Sequence, residues 1–368
     1  MMRMRGVAPL LGLAGLLAVP CLAACAAGSS AYESSLARAD AKAREREPEQ
    51  AARLYQEASR ATKKPDQAAE ALYREASMWK RQGQLERARG CLEQLAAQHS
   101  ASSRGPRIWL DLGRLREDAG DAEGARAAYR QVLSYGDSGL GPRAADALVA
   151  LSPDSRASAY RALVVDRPRA PDLDAFLRLR LARAELEEGN RAGALDTCES
   201  LVHDHPLPRG VYTDDALLLA ASLRRTLGDP DGALVTIAAL LAAQEKSAIV
   251  GSYERSAFAE GRWLAADIHQ LDRADAHGAV QVLDDLVRLD GTSRLRDDAL
   301  FRMAWLMRHE LGDDDAACRE ADRIDALEPP SALSACLSVV CSRRPQAEAS
   351  RRCDRAVAMA KGQPALVP

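Results

Sequence analysis

The stretch Trp109–Asp137, WLDLGRLREDAGDAEGARAAYRQVLSYGD, decides the fold. Its apolar residues recur at helical spacing on both sides of Gly120, and nothing in it alternates with the period of a strand. Glycine accepts the left-handed conformation that closes a helix, so Gly120 marks the end of one helix and the start of the next. Ala125, Tyr129 and Val132 follow it by five, nine and twelve residues, a spacing that keeps them on one face of the second helix.

The same offsets recur along the chain. Gly83 leads to Ala88, Leu92 and Leu95, and Gly189 to Ala194, Cys198 and Leu201. Gly228 leads to Ala233, Ile237 and Leu240, and Gly312 to Ala317, Ala321 and Ile324. The landmark glycines stand 37, 69, 39 and 84 residues apart. The two long intervals are about twice a unit of roughly 34 to 42 residues, so each hides one degenerate repeat. Ala144–Leu151 with Ser155–Val165 fills the first, and Trp263–Leu271 with Ala276–Leu289 the second. A small residue on the first helix (Ala76, Gly113, Ala182, Ala221) lets two backbones pack closely. Pro206 closes the second helix of its repeat.

Composition agrees with an all-α chain. Of 368 residues, 47% are hydrophobic and 28% charged, which excludes wholesale disorder and a polytopic membrane protein. Aromatics make up only 4%, while alanine, leucine and arginine, all good helix formers, dominate. The formal net charge is -3 with signs interleaved, so the electrostatic footprint of a nucleic-acid binder is missing.

Trp109, Leu112, Gly113, Gly120, Ala125 and Tyr129 match the W-x2-L-G, glycine and A-x3-F/Y positions of the tetratricopeptide repeat, which the chain resembles. The resemblance runs over residues 48–330 and is poor over 331–361, a degenerate capping repeat followed by a tail at 362–368. Glu75 stands at the leucine position, and Arg116 and Arg224 at the tyrosine position. The family implies a right-handed superhelical solenoid of antiparallel helix pairs with an inner groove lined by first helices. Carried over, the groove positions are Tyr73, Ser77 and Lys80, then Arg107, Leu110, Arg114 and Glu117. Later repeats add Arg183, Ser222 and Arg225, then Arg302, Leu306 and His309. Arginines along one face suit an extended peptide or acidic tail, and equally suit the solvated stripe of amphipathic helices.

The N-terminus reads differently. Arg3 and Arg5 precede an apolar run from Val7 to Val19, then Pro20 and small residues, the layout of a secretory signal peptide. The run is broken by Pro9 and falls short of the ~20 residues a membrane span needs. Leu22-Ala23-Ala24-Cys25 resembles the lipobox of bacterial lipoproteins. That implies removal of residues 1–24, Cys21 included, and a lipid on Cys25 whose acyl chains hold the protein on a bilayer. Ala26, rather than aspartate, implies the outer membrane with the protein facing the periplasm. Residues 25–47 are expected to be the lipidated N-terminus and a polar tether.

No motif carries catalysis. Gly136-Asp137-Ser138-Gly139 resembles a serine-protease loop without the histidine and β-barrel that such chemistry requires. His203-Asp204-His205 lacks the converging ligands of a zinc site, and Asp313-Asp314-Asp315 reads as a helix start. No catalytic residue, metal or cofactor is expected.

Cys91 and Cys198 fall on apolar positions and read as packing residues. Cys318, Cys336, Cys341 and Cys353 allow three pairings, and the periplasm permits disulfides. Facing residues of an antiparallel hairpin lie equally far from its turn. The Glu328–Ser331 turn is midway between Cys318 and Cys341, and the Ser342–Gln346 turn midway between Cys336 and Cys353. Those two bridges are therefore predicted.

The sequence thus points to a lipid-anchored, non-enzymatic scaffold of the cell envelope. Its expected partners are other envelope proteins or extended peptide segments, with the membrane reached through Cys25. The alternative is a non-catalytic accessory helical domain of a peptidoglycan-acting or secretion complex. Few residues follow the last clear repeat, which leaves no room for a catalytic domain of its own.

Overall fold

The computed structural model describes residues 19–136, 139–165, 170–244, 256–346 and 350–362, with side chains described from residue 31 onward. Every regular element among them is helical. The chain divides into two compact units, Met1–Leu151 and Ser152–Pro368.

The first unit contains α1 (Val19–Arg44), α2 (Pro48–Arg60), α3 (Pro65–Arg81), α4 (Leu85–His99), α5 (Gly105–Asp118), α6 (Ala122–Ser134) and α7 (Gly141–Ala150). α1 pairs with α2, α3 with α4 and α5 with α6, and each hairpin packs on the next. The second unit contains α8 (Arg156–Val165), α9 (Pro171–Glu187), α10 (Arg191–Asp204), α11 (Thr213–Thr226) and α12 (Pro230–Ala242). It continues with α13 (Ser256–Asp267), α14 (Ala276–Leu289), α15 (Arg296–His309), α16 (Asp314–Asp325) and α17 (Arg351–Ala360). Here α9/α10, α11/α12, α13/α14 and α15/α16 are the hairpins. The fold is an all-α, tetratricopeptide-like stack of antiparallel helix pairs. Two helices, α7 and α8, occupy the first long interval, and the division between the units falls between them in the chain.

One turn is used throughout. Gly83, Gly120, Gly189, Gly228 and Gly312 all have positive φ, between 73° and 88°. In the Gly120 turn the Asp121 carboxylate then caps the second helix by accepting from Gly124 N at 2.9 Å. Asn190, Asp229, Asp275 and Asp313 cap α10, α12, α14 and α16 in the same way. The residues five, nine and twelve positions after each glycine are all buried. A Cβ on Gly113 would lie 2.5 Å from the Tyr129 ring, so this glycine is what admits the tyrosine.

Two turns lack the glycine. Arg46 (φ 62°) and Ala274 (φ 52°) occupy its place, a conformation that non-glycine residues rarely adopt. Buried Ala51, Tyr55 and Ala58 follow Arg46 at the usual offsets, and buried Ala279, Leu283 and Leu286 follow Ala274. The Ala274 turn closes the hairpin hidden in the second long interval. A π-helical turn, Ile268–Asp272, precedes it and lengthens the first helix of that hairpin.

The Arg46 turn changes the expected N-terminal organisation. Residues 31–44, read as tether, belong to α1, which packs on α2 through buried Tyr32 and Ala39. The repeats therefore begin before residue 48. Residues 31–44 are polar because only one face of this part of the helix is covered. At the other end, residues 332–339 form a 3-10 helix rather than the first α-helix of a capping repeat. Disulfides join Cys318 to Cys341 and Cys336 to Cys353, with Cα separations of 4.7 and 5.3 Å. They tie the 3-10 segment and α17 to α16 around Leu333, Leu337 and Val340, which belong to one core with Phe301 and Ile324.

Two outcomes test this account. Ala274→Gly relieves the left-handed alanine and raises stability by about 1 kcal/mol in urea denaturation, whereas Gly228→Ala lowers it by a similar amount. Replacing Cys336 and Cys353 together by alanine costs about 2–4 kcal/mol and lowers the Tm of the second unit.

Candidate partner-binding face

The residues carried over as groove positions lie on α3, α5, α9, α11 and α15, the first helices of their hairpins. In the structure they form a ladder of polar contacts from one first helix to the next. Arg74 of α3 reaches back to Asp40 of α1 at 2.6 Å. Tyr73 donates to Asp111 of α5 at 2.5 Å, and Lys80 lies 3.2 Å from the same carboxylate. Asp111 is buried, and its charge is met by these two groups. Burial and the Asp111 bond push the Tyr73 hydroxyl up to about 12, so it stays a donor.

The ladder resumes within the second unit. Arg183 of α9 lies 3.7 Å from Asp215 of α11. Arg225 of α11 contacts Asp272 at 2.6 Å and Asp267 of α13 at 3.5 Å. Arg302 of α15 lies 2.6 Å from Asp267, donates twice to Gln270 Oε1, and stacks over Trp263. Its guanidinium is 0% exposed, and desolvation pulls its pKa below the ordinary arginine value against the opposing charge of Asp267.

These contacts correct part of the groove assignment. Arg302 is a buried structural cation, and Leu110 and Leu306 are core side chains, so none of the three is open to a partner. Arg183 and Arg225 are engaged by neighbouring carboxylates. Ser77 and Ser222 are half-buried. His309 is exposed, with its ring against Trp305 and Nε2 3.1 Å from the Val339 carbonyl. Glu117 accepts from Tyr129 at 2.6 Å. Arg107 and Arg114, about two turns apart on α5, have no ion-pair partner among the described residues. The acidic rungs Asp40, Asp111, Asp215, Asp267 and Asp272 carry no local signal in the sequence. They sit 31 to 47 residues from their partners, and only the pairing of hairpins brings them together.

The remaining candidates have structural surroundings. His205 Nε2 lies 2.8 Å from Asp174, and no group of three or more potential metal ligands occurs among the described residues. Asp137 and Ser138 fall outside the described residues, as does the Cys25 side chain. Burial pushes the Cys91 and Cys198 thiols up to about 12, which leaves them as thiols at neutral pH. No described helix is long and apolar enough to cross a membrane.

Arg302→Leu strips Asp267 and Gln270 of their buried partner and costs about 3 kcal/mol in urea denaturation. Arg114→Ala, on the open part of α5, stays within about 0.5 kcal/mol of the native chain.

The tetratricopeptide repeat family profile matches residues 70–102, 177–207 and 298–331. Each match coincides with one hairpin: α3/α4, α9/α10 and α15/α16. Trp109–Asp137, where the motif reads most fully, lies outside these ranges although α5 and α6 form the same hairpin. No curated protein matches the sequence. Among solved structures, the C-terminal part of a TPR repeat-containing protein from Cytophaga hutchinsonii is 14% identical, covering 72% of this chain and 98% of its own, with a TM-score of 0.44. A tetratricopeptide repeat protein from Parabacteroides merdae is 15% identical, covering 70% and 92%, with a TM-score of 0.30. The TPR2AB domain of yeast Sti1, solved as a pHSP90 complex, is 14% identical, covering 74% and 95%, with a TM-score of 0.29. Three matched repeats, each on one hairpin, mark this chain as a tetratricopeptide-like repeat protein.

Proposed function

We propose that this chain is a lipid-anchored scaffold of the cell envelope, held at the outer membrane through Cys25 and facing the periplasm. One observation carries the anchoring. A basic start, a short apolar run and Leu22-Ala23-Ala24-Cys25 precede the packed part of α1, which begins at Tyr32. Acyl chains on Cys25 contribute roughly 0.8 kcal/mol per buried methylene, enough in combination to hold a folded chain on a bilayer. The second half of α1 is packed as repeat structure, so the first unit stands close to the lipid rather than at the end of a long tether.

Partner binding falls to α3 and α5. Most of the other groove arginines are neutralised within the protein, and Arg107 and Arg114 present two uncommitted cations on one helix. Beside them stand Tyr73 and Lys80, tied to Asp111. An extended acidic segment of another envelope protein fits this face.

Crosslinked capture from membranes tests both parts with three chains: native, Cys25→Ser, and Arg107→Glu with Arg114→Glu. The Cys25→Ser chain should leave the membrane fraction and change in size; if it stays bound at unchanged size, the anchoring is wrong. The arginine double variant should remain on the membrane but lose its captured partners. Capture of the same partners at the same level removes α5 as the docking face.

A further inference from the structure

The α2–α3 loop and the sides of α2, α3 and α4 enclose an open cavity of about 670 Å³, and Tyr73, Arg74 and Lys80 of the first-helix ladder do not line it. Glu75 lies on its floor and is 4% exposed. The repeat pattern places leucine at this position, so a carboxyl group here works against packing unless something meets it. What meets it is neutral. Gln56 Nε2 and Trp79 Nε1 donate to Oε1 at 3.3 and 3.4 Å, both long, and the Cys91 thiol adds a third contact. No ammonium or guanidinium acts on it, and burial raises its pKa above the usual glutamate value.

Glu185 shows what a structurally satisfied glutamate looks like in the same fold. It is equally buried, but Arg161 donates to one oxygen at 2.6 Å and Thr197 to the other at 2.8 Å. Glu75 lacks that cation.

The mouth of the cavity has the opposite imbalance. Arg60, Lys63 and Lys64 line it, are exposed, and have no ion-pair partner among the described residues. A purely anionic ligand would suit these three but leave Glu75 unanswered. A purely cationic one would have to pass them. A ligand with both charges answers both ends, and a cavity of this size lies in the range that holds small molecules.

We infer that this cavity binds a small zwitterion, a free amino acid or short peptide, with its ammonium group at Glu75 and its carboxylate at Lys63 and Lys64. The ammonium supplies the cation that the fold withholds from Glu75, and it does so in a desolvated place where a charged hydrogen bond is strong. Arg60 adds to the positive mouth and draws the carboxylate end outward. Cys91, held as a thiol, takes no covalent part.

Isothermal titration calorimetry on the full chain in detergent tests this with glycylglutamate, its N-acetyl form and its doubly amidated form. Glycylglutamate should bind with a Kd of ~1 mM or tighter, and acetylation, which removes the ammonium, should weaken it at least ~10-fold. Amidation should weaken it through the other end. Glu75→Gln keeps the shape of the site and should abolish the difference between the free and acetylated dipeptides. Lys63→Ala with Lys64→Ala should weaken both alike and leave the difference intact. Absence of binding up to ~10 mM, equal affinity for the free and acetylated forms, or an unchanged preference in Glu75→Gln each overturns the inference. The Cys25→Ser chain should bind as the native one does, so loss of lipid anchoring leaves this result standing.

Discussion

The structure depends on a single backbone constraint: the residue that closes each first helix must take a left-handed conformation. Once it does, the chain re-enters the next helix at a fixed angle, and the residues five, nine and twelve positions later face the first helix. An alanine at the first of these keeps the backbones close, and larger side chains at the others fill the space behind it. In five of these turns an Asp or Asn immediately before the second helix accepts from an N–H group that the helix start would otherwise leave bare. Where glycine is replaced by Arg46 or Ala274, the downstream alanine and the large side chain behind it, joined at Ala274 by the Asp275 cap, impose the same turn on a residue that resists it. The packing face determines the backbone there, not the reverse.

That hierarchy explains what the sequence disclosed. Helix class, hairpin spacing and buried positions all follow from local offsets, and these are visible without knowing any contact. The glycine was a useful marker but an incomplete one. The Ala–x3–apolar–x2–apolar pattern after Arg46 would have located the α1/α2 hairpin, which polar composition disguised as a tether. The pairing of the four C-terminal cysteines was likewise accessible, because a hairpin places facing residues at equal distance from its turn. The 3-10 geometry of residues 332–339 was not, since it arises from how a short segment is held between α15, α16 and α17.

The face of the first helices is less legible in the sequence, for a reason intrinsic to repeats. A family alignment says which positions point toward the groove, not whether a side chain there meets solvent, a partner or the next repeat. Arg302 and Arg114 occupy equivalent-looking stripes, yet one is sealed under Trp263 beside Asp267 and the other is open. The difference lies in residues on another hairpin. Ion pairs from repeat to repeat align successive first helices and restrict how neighbouring hairpins can slide, so charge that looked available for binding instead sets the stacking register. A partner then finds positive charge only where a rung is unfilled.

The two buried glutamates carry the same logic one step further. Both sit at inward positions of first helices, and desolvation acts on each. Glu185 is drawn into the internal network by Arg161 and Thr197, and its charge is part of how α8 and α9 hold together. Glu75 has an amide, an indole and a thiol, none of which carries a compensating charge. A leucine there would pack against the same neighbours without desolvating a carboxyl group, so stability alone does not account for it. In a protein that neutralises most of its other inward charges with its own side chains, a carboxyl group left without a cation at the floor of an open cavity is a place where the cation comes from outside.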